Sequence, residues 1–109
     1  MKNKFTEKEI RAVRGAELGY ERYSVRVEVL VNGNWVIPYL VNEDKLDWHL
    51  YSREMRPTEK NMKAFITSEL KIINELLDKG YTLFNHKKYE EIIHRYHNPL
   101  DYEPTTVYL

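Results

Sequence analysis

The chain has no cysteine at all. Disulfides, thiolate zinc sites, iron–sulfur clusters and cysteine nucleophiles are excluded together. A small extracellular domain often needs disulfides, so their absence favours a reducing compartment. Long apolar runs are also missing. The longest spans a few residues, which predicts no membrane-spanning helix. Met1-Lys2-Asn3-Lys4-Phe5 has no apolar stretch behind it and reads as carrying no signal peptide. The expected location is the cytoplasm. Glycine is sparse and scattered, at positions 15, 19, 33 and 80. No phosphate loop, dinucleotide fingerprint, nucleophile elbow or metalloprotease motif can be assembled from it. No cofactor and no enzymatic activity are expected.

Net charge is also absent, since 17 basic residues balance 17 acidic ones. Neutrality disfavours both binding to DNA through bulk charge and mimicry of it. The charge is unevenly spread, however. Residues 1–26 carry Lys2, Lys4, Lys8, Arg11, Arg14, Arg22 and Arg26 against Glu7, Glu9, Glu17 and Glu21. Residues 90–109 carry Glu90, Glu91, Asp101 and Glu103 against Arg95.

What is present in quantity is tyrosine, nine in 109 residues. The apolar fraction of 42% is ordinary for a folded domain, and the length suits one domain over 1–109. Tyrosine has an apolar body and a polar tip, so it serves half-buried positions and contact surfaces alike.

Along the chain, Thr6 and Glu9 have capping-box spacing, and Ile10 and Val13 follow as a thin apolar stripe. A short helix over 6–14 is predicted, weakened beyond by Gly15 and Gly19. From Tyr23 to Val31 every odd position is apolar, which reads as a half-buried strand. Asn32-Gly33 then links it to a second strand, Trp35 to Val41, as a hairpin. A two-residue loop would set Val29 against Val36. A three-residue loop from Val31 to Gly33 sets Val29 against Trp35 and Val27 against Ile37, collecting the large apolar residues on one face, and is the register expected. Pro38 has no N–H to donate, so the second strand lies at an edge or breaks there.

Residues 42–45 read as a turn, 46–51 as a third strand or a short helix, and Arg53 to Pro57 as loop. Thr58 opens the longest element. Met62, Phe65, Ile66, Glu69, Leu70, Ile73, Leu76 and Leu77 recur at helical spacing up to Gly80. Tyr81 to Phe84 is a short strand or link. Asn85 caps a last helix with a Tyr89, Ile92, Ile93, Tyr96 stripe, and the β-prone tail can add an edge strand. The fold expected is α+β: an antiparallel hairpin or meander of two to four strands packed on a long central helix, with short N- and C-terminal helices.

Three sets of residues could carry function. Glu90, His94 and His97 can share one flank of the last helix and offer three ligands to a metal, but one helix seldom completes a site, and a solvated polar face is the preferred reading. Lys4, Lys8 and Arg11 at helical spacing, with Arg14 between, can join Arg22 and Arg26 on the outward face of the first strand. The basic patch formed beside Tyr20 would suit nucleic-acid phosphates, although Glu7, Glu9, Glu21 and Glu28 are interleaved with it. The third set is aromatic. Tyr20, Tyr51, Tyr81, Tyr102 and Tyr108 fall outside the core stripes, whereas Trp35, Tyr39, Tyr89 and Tyr96 fall within them. Tyr20, Arg22, Arg26 and Tyr51 are the expected contacts to another protein, and an exposed edge strand can pair with a second copy as a homodimer. The favoured function is a non-catalytic binding module, and nucleic-acid binding is the alternative. The size and the Lys/Asn/Ile/Tyr-leaning usage suit an inhibitor or accessory protein of a bacterium or its phage.

Overall fold

In the computed structural model, which describes residues 4–42, 47–48, 52–83 and 106–109, the N-terminal segment is not the expected helix. Thr6 and Glu9 do pair. The Thr6 N–H and hydroxyl both donate to Glu9 Oε1 at 3.0 Å, and the Glu9 N–H donates to the Thr6 carbonyl at 3.0 Å. The pairing closes only one 3₁₀ turn, Glu7–Glu9, and the chain then extends as strand β1, Ile10–Gly19. Two apolar residues could not hold a helix against a better partner. That partner is the valine-rich strand β2, Arg22–Val31, which aligns antiparallel with Ile10 opposite Val29, Ala12 opposite Val27 and Arg14 opposite Val25. Ile10, Ala12, Val25, Val27 and Val29 are all fully buried. Strand formation follows this packing more than intrinsic preference.

The second hairpin takes the two-residue loop rather than the three-residue one. β3, Asn34–Val36, pairs with β2 so that Val29 faces Val36, Leu30 faces Trp35 and Val31 faces Asn34. Asn32 and Gly33 have φ of 51° and 81°, the doubly left-handed turn whose twist matches that of the strands. The register expected from collecting the large residues was therefore wrong. Trp35 goes to the opposite sheet face with Leu30, and turn geometry decides over apolar sorting. A Cβ at Gly33 would meet nothing within 4 Å. Gly33→Ala should thus cost only backbone strain, about 1 kcal/mol, seen as a lower urea midpoint.

Pro38 breaks the strand as expected. β3 stops at Val36, and the chain resumes as β4, Leu40–Asn42, in a second sheet beside β5, Asp47–Trp48. The stretch read as loop contains strand β6, Ser52–Met55, which pairs Tyr23 with Met55 and Arg26 with Ser52. Its sequence barely alternates. The edge of β2 left open beyond β3 recruits it. Arg53 stands opposite Val25, and its guanidinium lies 5.0 Å from the Phe65 ring centre.

Helix α1, Glu59–Asp78, matches the expectation. Thr58 Oγ accepts from the Asn61 N–H at 3.1 Å, and Met62, Phe65, Ile66, Glu69 and Ile73 are buried. The Gly80 N–H donates to the Leu77 carbonyl and the Tyr81 N–H to the Leu76 carbonyl, closing the end with Gly80 at φ 92°. β7, Thr82–Leu83, pairs with β4, and the tail supplies β8, Thr106–Tyr108, beside β1. The larger sheet runs β3-β2-β1-β8, with β6 also against β2. The architecture is α+β, with antiparallel strands packed on one long helix. The expected C-terminal helix, including Tyr89 and Tyr96, lies outside the described residues, as does the rest of 46–51. Tyr81, expected at the surface, is 7% exposed and belongs to the core.

Candidate interaction surface

The cations of the expected basic patch are spread over the molecule, and most are paired. Lys4 bridges to Asp78 at 3.2 Å, and Lys8 is exposed on the 3₁₀ turn. Arg11 lies on the sheet face turned away from α1, where its Nε and Nη2 reach Glu28 Oε1 at 2.8 and 2.6 Å. Its Nη1 donates to the Tyr108 hydroxyl at 3.3 Å, and its guanidinium lies 4.4 Å from the Trp35 ring centre. Arg26 Nε meets the other Glu28 oxygen at 3.1 Å. Trp35 and Tyr108 make an edge-on contact, ring centres 5.9 Å apart. These five side chains form one cluster around a buried carboxylate. Arg14 points to the other face, over the Tyr23 ring at 4.6 Å. Arg22 pairs with Glu54 at 3.2 Å near the hairpin tip. Glu28 is one of the acids interleaved with the patch in the sequence, two residues from Arg26, but only the strand register brings Arg11 to it as well.

Tyr51, Glu90, His94 and His97 lie outside the described residues. Among the described residues, no group of three or more His, Asp or Glu could hold a metal ion. None of the described helices is long and apolar enough to cross a membrane.

Tyr20 stands at the tip of the β1–β2 hairpin, 96% exposed, with Leu18 beside it at 55%. The path to that tip is irregular. Gly15 and Ala16 oppose Ser24 alone, and Leu18 has no residue opposite, so β1 carries two bulges. Bulges twist a ribbon and re-aim its side chains. The turn itself has Tyr20 at φ 53° and Glu21 at φ 63°. Both central residues of such a turn must be left-handed, which is why asparagine and glycine dominate it. Here a bulky aromatic and a glutamate occupy those positions, each at a cost of about 1 kcal/mol. Glu17, Glu21 and Arg22 are exposed around the two apolar side chains. Tyr20 and Arg22 could be singled out from the sequence, but Leu18 could not, because its exposure follows from the bulges in β1.

Comparison with known proteins adds no kinship, since no family model, curated protein or solved structure matches the chain.

Proposed function

We propose that this protein is a non-catalytic cytoplasmic binding module, an inhibitor or regulatory accessory protein that grips another protein with the β1–β2 hairpin tip. Tyr20 is the anchor, Leu18 widens the apolar contact, and Arg22 lies at its rim. The observation that carries this reading is the left-handed backbone at Tyr20 and Glu21 beneath a side chain that is 96% exposed. Strain with no return in folding is characteristic of functional positions. Tyrosine and arginine are also the residues enriched where binding energy concentrates. Nucleic-acid binding through Lys4, Lys8, Arg11 and Arg14 draws less support, because Glu28 and Asp78 already neutralise two of these cations.

The test is capture from cell lysate with tagged wild-type protein and with Tyr20→Ser, each with and without nuclease. A stoichiometric protein that survives nuclease, and that the variant retains at least tenfold less well at an unchanged thermal midpoint, is expected. Equal retention by the two baits would remove Tyr20 as the anchor. Captured material lost on nuclease treatment would favour the nucleic-acid reading.

A further inference from the structure

On the sheet face turned away from α1, three arginines of the hairpin share two carboxylates. Arg22 pairs with Glu54, and Arg11 and Arg26 both pair with Glu28. One positive charge is left over, and the hydrogen bonds locate it. Glu28 Oε1 takes Arg11 Nε and Nη2 at 2.8 and 2.6 Å, and Arg11 Nη1 donates to the Tyr108 hydroxyl at 3.3 Å. Arg26 has only its Nε contact to Glu28 Oε2, at 3.1 Å, and no other side-chain partner among the described residues. A guanidinium carries more N–H donors than one shared carboxylate accepts. The outer edge of the Arg26 fork is therefore open, on a side chain that is held in place and 27% exposed.

The surroundings of that fork are specific. Arg26 stands between its register partners Val13 on β1 and Ser52 on β6. Val13 is 3% exposed and gives an apolar flank, and Ser52 brings a hydroxyl to the same row. Across Glu28 lie two partly exposed rings. Trp35 has its centre 4.4 Å from the Arg11 guanidinium, and Tyr108, 52% exposed, meets it edge-on. Because both arginines meet on one carboxylate, the open fork and the rings border the same group.

A planar guanidinium fork matches a phosphate with parallel N–H···O bonds. Aromatic side chains beside it favour an organic part that is itself a ring. A single surplus charge suits a single phosphate, whereas nucleic acid gains affinity from many phosphates neutralised together. We infer that this face binds a small aromatic phosphate monoester, with its phosphate on Arg26 and Ser52 and its ring against Tyr108 and Trp35. The site lies on the body of the sheet and does not rest on the hairpin-tip reading.

Titration of the full chain with phenyl phosphate at constant ionic strength, followed by NMR at the Arg26 Nε–H and the Trp35 indole N–H, tests it. Saturable shifts at both groups are expected, with inorganic phosphate binding at least tenfold more weakly. Arg26→Lys keeps the charge and can still pair with Glu28, so it should leave the thermal midpoint near wild type. It loses the fork, and should weaken phenyl phosphate at least tenfold. Tyr108→Leu should bring phenyl phosphate several-fold closer to inorganic phosphate. Arg22→Gln removes an equal charge from the same face and should change neither. Shifts that fail to saturate, or an Arg22→Gln loss as large as that of Arg26→Lys, would overturn the inference by leaving only diffuse attraction. So would equal affinity for the two phosphates. Oligothymidylate that binds more tightly than phenyl phosphate, with a steep salt dependence, would overturn it in favour of nucleic acid.

Discussion

Glu28→Ala should lower stability by about 2–3 kcal/mol, the largest loss expected from any single polar substitution in the sheet. Glu28 is 7% exposed and accepts from Arg11 Nε at 2.8 Å and Arg26 Nε at 3.1 Å. Without the carboxylate, two guanidinium groups face each other across β1 and β2. Removing one partner of a fully buried ion pair typically costs about 3–5 kcal/mol. The arginine side chains are 22% and 27% exposed, so part of that penalty is relieved by water, which sets the lower figure. Arg11 is further held by the Tyr108 hydroxyl and by stacking near Trp35, so it cannot simply swing outward. For a chain of this size the loss corresponds to a fall of about 10 °C in Tm. Adding Arg26→Met to Glu28→Ala should return part of it by removing one of the stranded charges. A Glu28→Ala midpoint within experimental error of wild type would show that solvent already carries both arginines.

The parts of this fold legible in the sequence are those with a strong local signal. Thr58, the Met62-to-Ile73 spacing and Gly80 state the long helix twice over, by its apolar face and by both its ends. Tyr23 to Val31 states a strand by alternation, and Pro38 states a break because a missing N–H cannot be argued with. The misreadings came where local signals were thin and a distant partner decided. Thr6 and Glu9 pair as a helix start would, yet Ile10 and Ala12 bury more by joining Val29 and Val27 than a helical turn could offer. Ser52 to Met55 has no pattern of its own and becomes a strand because β2 has an open edge. At the candidate site the same division holds. The exposure of Tyr20 could be suspected from its place outside every apolar stripe. Its companion Leu18 could not, because its exposure depends on two bulges, and Gly15 in the first of them marks a bulge only once the segment is known to be a strand rather than a helix.

The β1–β2 and β2–β3 turns of the larger sheet form an internal control, and exchanging their residues should move stability in opposite directions. Both turns hold two residues at positive φ, Tyr20-Glu21 in one and Asn32-Gly33 in the other. Asn32-Gly33 is the pair such a turn favours, so Tyr20→Asn with Glu21→Gly should stabilise the fold by about 1–2 kcal/mol. At this chain length that raises Tm by about 4–8 °C. The converse change, Asn32→Tyr with Gly33→Glu, should cost a similar amount. The stabilised variant loses the Tyr20 ring, and with it at least tenfold in affinity for whatever the tip holds. A protein gaining stability as it loses binding is the signature of strain kept for function rather than tolerated by accident. Thermal unfolding of the Tyr20→Asn, Glu21→Gly variant decides the point without any partner in hand. A raised midpoint locates the stored strain at the tip. An unchanged or lowered midpoint means that Tyr20 and Glu21 sit in their turn at no cost, and the observation on which the hairpin tip was singled out would lose its force.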